Sequence, residues 1–433
     1  MDLPKGWAKC RLSDVNLVIA GQSPESKYYN QDGDGLPFFQ GKTDFGQLYP
    51  TNRVYCTAPK KLAESGDILL SVRAPVGPTN LARETVAIGR GLSAIRPLGG
   101  ISTRYVLNFF KHIEPVFSGQ GTGTTFSAVT VDDVKNLDFL LPPLTEQNRI
   151  VAKIDALFSE LDKGVELLQT ICQQLRTYRQ AVLKWAFEGK DWERVTIEKF
   201  LSKNRKPMAT GPFGTMLKKH EHKQTGVPVL GIENIERGIF QQCNKIFVSP
   251  EKAEELKAFE LHTNDVIISR SGTVGELCLV PEHMNGALLS TNLMRVTLDE
   301  NEIMPRYFVY LFLSKGIVID QVKELCKGST RDFLNQTILK QIIFPLPPLV
   351  DQSQIVAEIE SRLSVCDKLE QIVDENLNKA QALKQSILKK AFAGQLVPQD
   401  PDDESASVLL ECIKAEQKSS DTKAKTKGGR KNG

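Results

Sequence analysis

LLPPLTEQNRIVAKIDALF begins at Leu140, and PLPPLVDQSQIVAEIESRL begins at Pro345. No other feature constrains the fold as much as this duplication. Residues 141–189 align with 346–394 without a gap, and Leu141, Pro142, Pro143, Leu144, Gln147, Ile150, Val151, Ala152 and Ile154 are identical to their partners. The far ends also match, as QAVLKWAFEG from Gln180 and QSILKKAFAG from Gln385. Upstream the likeness is weaker but keeps its order. Trp7 pairs with Trp192, Gly35-Leu36-Pro37 with Gly226-Val227-Pro228, and GDILLSVRAPVG (66–77) with NDVIISRSGTVG (264–275). The offset grows from 185 to 191, 198 and 205 along the chain, as small loop insertions in the second copy would produce. A tandem duplication of a unit of roughly 200 residues, a variable globular part followed by a segment of fixed length, is the simplest reading.

The fixed segment reads as a long helix. Pro142 and Pro143 cannot continue a helix, and Thr145 is a suitable N-cap, which places the start near 145. Positions 154, 161, 168, 175 and 182 are Ile, Leu, Leu, Leu and Val; 150, 157, 164, 171, 178 and 185 are Ile, Leu, Gly, Ile, Tyr and Trp. This is an a/d seam weakened only at Gly164. The second copy is less regular, with Ile359, Cys366, Val373, Ala380 and Ile387 on one seam and the polar Asn376, a residue suited to setting register, on the other. At ~1.5 Å per residue each helix is a rod of roughly 60 Å. Two such rods in one chain are expected to pack antiparallel, which makes the chain an internal dimer with pseudo-twofold symmetry. A head at each end would then stand more than one turn of B-DNA from the other.

The globular parts predict an α+β fold. Short apolar runs such as Ile68-Leu69-Leu70 and Val266-Ile267-Ile268 lie between turn residues and read as strands. YVLNFFKHI (105–113) and YFVYLFLSKGI (307–317) read as short buried helices whose aromatics belong to the core. A length of 433 residues allows two such domains, and 41% apolar with 25% charged residues is the composition of a soluble globular protein. No apolar run is long enough to span a bilayer, and MDLPKGWAKC lacks a signal core, so no export is expected. The eight scattered cysteines form no CxxC pair, which fits a reducing cytoplasm. A net charge of +3 excludes nothing, because a near-neutral protein can carry a basic face.

Two variable domains, each followed by a PLPPLxxQxxIV-type helix start, with QSILKKAFAGQL and a lysine-rich tail at the end, resemble the specificity subunit of type I restriction–modification systems. The resemblance covers nearly the whole chain. It implies that residues 1–144 form a first target recognition domain, 145–190 a central spacer helix, 191–349 a second recognition domain and 350–396 a C-terminal spacer helix. Residues 397–433 follow as a short helix and a basic tail, KSSDTKAKTKGGRKNG, whose composition predicts disorder. It further implies that each domain reads one half of a bipartite, asymmetric DNA target. The helices would set the unread gap and help hold two methyltransferase (modification) subunits, with restriction/translocase subunits joining them. S-adenosylmethionine and ATP with Mg would then sit on the partner subunits, and no cofactor on this chain.

No catalytic motif emerges. An adenine methyltransferase carries an Asn/Asp-Pro-Pro-aromatic motif, whereas both Pro-Pro pairs here stand in Leu-Pro-Pro-Leu. GQGTGTT (119–125) is glycine-rich but lacks the strand and helix of a nucleotide fingerprint. Gly41-Lys42-Thr43 imitates the end of a P-loop, but position 36 is Leu rather than the required Gly. His220-Glu221-His222 offers no third metal ligand, and PEKAEELK (250–257) reads as a solvated helix face.

Residues that could meet DNA sit where strands break into polar loops. In the first head these are Gln22, Ser23, Lys42, Thr43, Asp44, Arg73, Arg90, Ser93 and the 119–125 loop. In the second they are Thr215, Lys218, Glu233, Asn234, Arg270, Ser271, Asn292 and Arg331. Arg73 and Arg270 are the foremost candidates. The leading expectation is a non-catalytic DNA-recognition subunit. Its rival is a coiled-coil scaffold whose heads bind proteins, and a self-contained enzyme is disfavoured by the missing motifs.

Overall fold

The computed structural model describes residues 3–117, 128–189, 191–212, 216–326 and 333–428. The helices that position the rest are α1 (Thr103–Phe117), α2 (Leu144–Phe187), α3 (Pro305–Leu313), α4 (Leu349–Phe392) and α5 (Ala406–Gly428). α2 and α4 are each 44 residues long and begin and end 205 positions apart, as the repeat requires. Gly189 and Gly394 follow their last turns with φ of +71° and +68°, a left-handed conformation that a residue without Cβ adopts freely. This accounts for the glycine in the repeated AF-x-G. The N-cap expected at Thr145 is corrected. The helix starts at Leu144, the Gln147 N–H donates to the Pro143 carbonyl at 2.9 Å, and the Thr145 hydroxyl donates instead to Asp403.

Two compact units divide the chain in the middle of both long helices. Unit 1 is Met1–Leu167 with Asn376–Gly433, and unit 2 is Leu168–Glu375. Each unit therefore combines the first part of one long helix with the last part of the other, and within each the two pieces run antiparallel. In unit 1, Glu146 meets Gln399, while Asp162 meets Lys384, whose ammonium lies 5.5 Å from the Phe158 ring centroid. In unit 2, Arg179 pairs with Glu370 at 3.1 Å, and Arg362 stacks over Trp185 at 4.4 Å.

The seam holds only in part. Ile154, Leu175 and Val182 are buried with Leu161 and Leu168 half-buried, but Tyr178 is exposed and Trp185 is 54% exposed. An α-helix has 3.6 residues per turn, so a strict seven-residue spacing drifts around it by ~20° per heptad. Leu183, Ala186 and Phe187 take up the burial at the end of α2.

Both units use one strand plan. In unit 1, β1 (Ala8–Arg11), β2 (Asn16–Ala20), β3 (Leu36–Phe39), β4 (Ile68–Ser71), β5 (Thr79–Leu81), β6 (Val86–Ile88), β7 (Leu92–Pro97) and β8 (Asp138–Leu141) occur in that order. In unit 2, β9 (Arg194–Thr196), β10 (Met208–Thr210), β11 (Val227–Leu230), β12 (Val266–Ser269), β13 (Leu277–Leu279), β14 (Leu288–Leu289), β15 (Leu293–Val296) and β16 (Ile343–Pro345) match them one for one. The antiparallel sheet β2-β7-β4-β5 has its counterpart in β10-β15-β12-β13. Leu92 faces Ser71 in the first and Leu293 faces Ser269 in the second. β3 pairs parallel with β6, and β11 with β14. β1 pairs with β8, and β9 with β16. This is the α+β architecture that the turn-bounded apolar runs imply.

The aromatics of the short helices are core, as expected. Tyr105 on α1 packs 5.1 Å from Phe392, the last residue of α4, and Tyr307 on α3 packs 5.5 Å from Phe187, the last residue of α2. Each tyrosine hydroxyl donates to a carbonyl before the next long helix, Tyr105 to Leu140 at 2.9 Å and Tyr307 to Pro345 at 3.0 Å. A buried tyrosine whose hydroxyl is satisfied contributes its full apolar area without a stranded polar atom. Each unit also buries an aspartate against an arginine. In unit 1, Asp67 takes a bidentate pair from Arg96, both bonds at 2.8 Å; in unit 2, Asp265 pairs with Arg205.

The C-terminal segment closes on unit 1. Asp403 pairs with Arg149 at 2.6 Å, the Ala406 N–H donates to the Gly6 carbonyl at 2.9 Å, and Ile413 packs at Gly99. α5 then continues to Gly428, into the stretch whose composition predicted disorder. Between Ala406 and Thr426 there is neither proline nor glycine, so nothing in the backbone stops the helix. The last five residues of the tail lie outside the described residues.

Candidate nucleic-acid interface

Four loops of unit 1 converge at one end of its strands, and the turn chemistry of each is visible. After β2, Gln22 is exposed and its N–H donates to the Ile88 carbonyl at 2.9 Å, while the Ser23 hydroxyl accepts from the Arg90 N–H at 3.2 Å. After β3, Asp44 turns inward and accepts from the Gln40 N–H at 3.0 Å, which leaves Lys42 and Thr43 exposed on a single 3₁₀ turn. After β4, the Ser71 hydroxyl bonds the carbonyls of Arg73 and Pro75 at 3.1 and 3.0 Å. Between β6 and β7, Gly91 passes so close to Gln40 that a Cβ would lie 2.0 Å from its carbonyl oxygen.

These loops enclose a cavity of about 430 Å³ lined by Ser23, Gln40, Lys42, Thr43, Arg73 and Arg90, among others. Five residues picked from sequence as DNA candidates thus meet around one opening. Arg73 and Arg90 are both exposed, and neither side chain forms an ion pair among the described residues. Glu114 is held above the usual carboxylate range by burial, an effect that Lys42 and Lys111 oppose. Ser93 is a correction. It lies on β7, between Ala20 of β2 and Leu70 of β4, and is 1% exposed.

Unit 2 gathers fewer of its candidates. Arg270 is corrected most sharply, being 4% exposed. Its guanidinium donates to the Leu334 carbonyl at 3.3 Å and stacks 4.5 Å over the Phe333 ring, and burial lowers its pKa. The reason is a one-residue offset. Val72, not Arg73, matches Arg270 in the repeat, and successive side chains leaving a strand point to opposite faces. The residue that matches Arg73 is Ser271, which is half-buried and donates to exposed Asn292 at 3.4 Å. Asn234 is fully buried, accepting from the Gly231 N–H at 2.8 Å and donating to Asn244 at 2.8 Å, so it holds the turn as Asp44 does in unit 1. Lys218 is exposed and Glu233 half-buried. Thr215, Arg331 and the 119–125 loop lie outside the described residues.

The sequence missed a basic hollow in unit 2. A second cavity of about 430 Å³ is lined by Arg176, Arg179, Arg237, Glu276, Tyr310 and Lys315, among others. Arg237 has φ of +49°, a turn conformation that non-glycine residues seldom adopt, and its N–H donates to Glu276 at 3.2 Å. The Arg237-Gly238 pair was the available turn signal. The His220-Glu221-His222 triplet is occupied locally, since Glu221 pairs with Lys252 at 2.8 Å and is held below the usual carboxylate range by it. No cluster of three metal-ligating side chains occurs among the described residues. No helix among them is long and apolar enough to cross a membrane.

Comparison with known proteins gives this geometry a family. The putative type I restriction enzyme MjaX specificity subunit of Methanocaldococcus jannaschii is 34% identical over 192 residues, which is 44% of each chain. The type I restriction enzyme EcoKI specificity subunit of Escherichia coli (strain K12) is 28% identical over 462 aligned residues, covering 96% of this chain and 97% of that one. A solved chain from work on "complex assembly and conformational transition of the type I R-M system" shares the fold. Its TM-score is 0.69 at 21% identity, covering 91% of this chain and all of that one. The family described as "Type I restriction modification DNA specificity domain" matches residues 4–173 and again 190–379, the two halves that the internal repeat defines. The chain belongs to the type I restriction–modification DNA specificity family and is a specificity subunit built from two tandem domains.

Proposed function

We propose that each unit reads one half of a bipartite, asymmetric DNA target and that the chain itself carries no catalysis. The long helices set the unread gap and dock two methyltransferase subunits, which hold S-adenosylmethionine. Restriction subunits with ATP and Mg act on the assembled complex. The observation that carries this reading is the convergence of Arg73, Arg90, Lys42, Ser23 and Thr43 around one opening, on four loops with hydrogen bonds of their own. Arginine and lysine supply charge toward phosphates and base edges, and hydroxyls supply adaptable hydrogen bonds.

The test is methylation sequencing of the host genome with this gene intact and deleted. Loss of methyladenine at one split, asymmetric motif is the expected result. Unchanged methylation in a strain whose methyltransferase partner is active would overturn the proposal.

A further inference from the structure

We infer that unit 1 reads guanine in its half-site through Arg73 and Arg90, and that the matched places in unit 2 read a different base. This rests on the DNA-reading function proposed above.

The repeat makes the comparison possible. Arg73 is the second residue after Ser71, the end of β4, and Ser271 is the second after Ser269, the end of β12. The Leu92 N–H donates to the Gly89 carbonyl at 3.0 Å, and the Leu293 N–H to the Ser290 carbonyl at 3.1 Å, so Arg90 and Thr291 occupy the same place in one turn. Two arginines at the opening of unit 1 thus become serine and threonine in unit 2. In both units the serine hydroxyl that ends the strand donates to the carbonyl of the matched residue at 3.1 Å, although a cis Ala74–Pro75 bond follows Arg73 and Gly272, with φ of +80°, follows Ser271.

This change separates two uses of arginine. Contacts to phosphate carry no sequence information, and both units would meet the same sugar–phosphate chain. A phosphate grip should therefore keep its charge at matched places. Base readout must diverge between the halves of an asymmetric target. The guanidinium is a planar fork of donors that fits the O6 and N7 acceptors of guanine together.

The surroundings suit that role. Both arginines are exposed on backbone that is already held: the Arg73 carbonyl accepts from the Ser71 hydroxyl and its backbone bridges to Ala128, and the Arg90 N–H donates to Ser23. They line a concave opening with Gln40 and Thr43, whose amide and hydroxyl groups suit the edges of neighbouring bases. In unit 2, Ser271 lies beside Asn292, a pair with the shorter, neutral donors and acceptors that suit other bases.

The test uses the complete specificity subunit bound to its methyltransferase partners and duplexes of about 30 base pairs carrying the motif found by methylation sequencing. Each guanine is replaced in turn by 7-deazaguanine, which lacks the N7 acceptor. Affinity should fall about tenfold at one or two guanines confined to one half. The same replacement should cost nothing further in Arg73→Ala or Arg90→Ala. Arg73→Lys should keep the salt dependence and lose the discrimination. The inference is overturned if the half altered by these variants contains no such guanine. It is equally overturned if both alanine variants weaken every duplex alike and each lowers the salt slope by about one, the signature of a phosphate contact. A complex that binds all duplexes alike without any motif would sink the proposed function itself, a result distinct from either of these.

Discussion

The side-chain oxygen of Gln352 accepts a hydrogen bond from the Met304 N–H at 2.7 Å, across 48 positions of sequence. Gln147 does the same for Ser102 at 3.0 Å. Ser102 and Met304 stand immediately before α1 and α3, so each glutamine ties the start of a long helix to the start of a buried one. The amide nitrogens complete the joint. Gln352 donates to the carbonyls of Pro347 and Glu302 at 2.8 and 3.0 Å, and Gln147 to that of Pro142 at 3.0 Å. Both side chains are fully buried, which explains why this glutamine is identical in the two copies.

Gln352→Leu should therefore lower the stability of unit 2 by about 2–4 kcal/mol, because it leaves a buried N–H and two carbonyls without partners. Gln147→Leu should cost unit 1 a comparable amount. Urea unfolding of the full chain measures both, and an unchanged midpoint would show that water replaces the side chain.

Arg73→Ala and Arg270→Ala should separate binding from stability. Arg270→Ala removes buried hydrogen bonds and a ring contact and should cost about 1–3 kcal/mol of folding free energy. Arg73→Ala should leave the melting temperature within error and weaken binding to the target duplex. Calorimetry and a binding titration on the same two proteins decide it.

The C-terminal clasp should loosen in acid. The Asp403 carboxyl is held below the usual carboxylate range by Arg149 and then by Thr145. A carboxyl depressed in the folded state stabilises above its unfolded pKa of about 3.9, and the contribution is lost as pH falls through the lower folded value. Glu146 works the other way. Burial raises its pKa, so the stability tied to its protonated form is present below the ordinary glutamate value and lost as pH rises through the raised one. Limited proteolysis of α5 across pH should show an acid limb that Asp403→Asn abolishes. A limb that survives this substitution would assign it to another group.

Inserting one heptad at matched positions of α2 and α4 should lengthen the unread gap of the methylated motif and leave both half-sites unchanged. Methylation sequencing reads the outcome directly. A motif with its original gap would remove the helices from spacing.

The duplication, the two long helices, and the turn-bounded strands and short buried helices beside them were legible in the amino-acid sequence. These follow from short-range chemistry: proline pairs cannot continue a helix, glycine adopts the left-handed turn, and apolar residues repeat with the period of the backbone. It also placed the polar loops, which is why five candidates meet at one opening of unit 1. Which loop residues face outward was set by packing. Arg73 and Arg270 look alike in GDILLSVRAP and NDVIISRSGT, yet one residue of offset turns the second guanidinium into the core beside Phe333. Asn234 and Ser93 are likewise polar by composition and buried by position. The helix seam shows the same limit. Trp185 keeps the seven-residue spacing but is 54% exposed and lies under Arg362 at the edge of the seam, because a seven-residue spacing drifts around a helix of 3.6 residues per turn. Facing and burial depend on what packs against a residue, and that partner is often more than a hundred positions away.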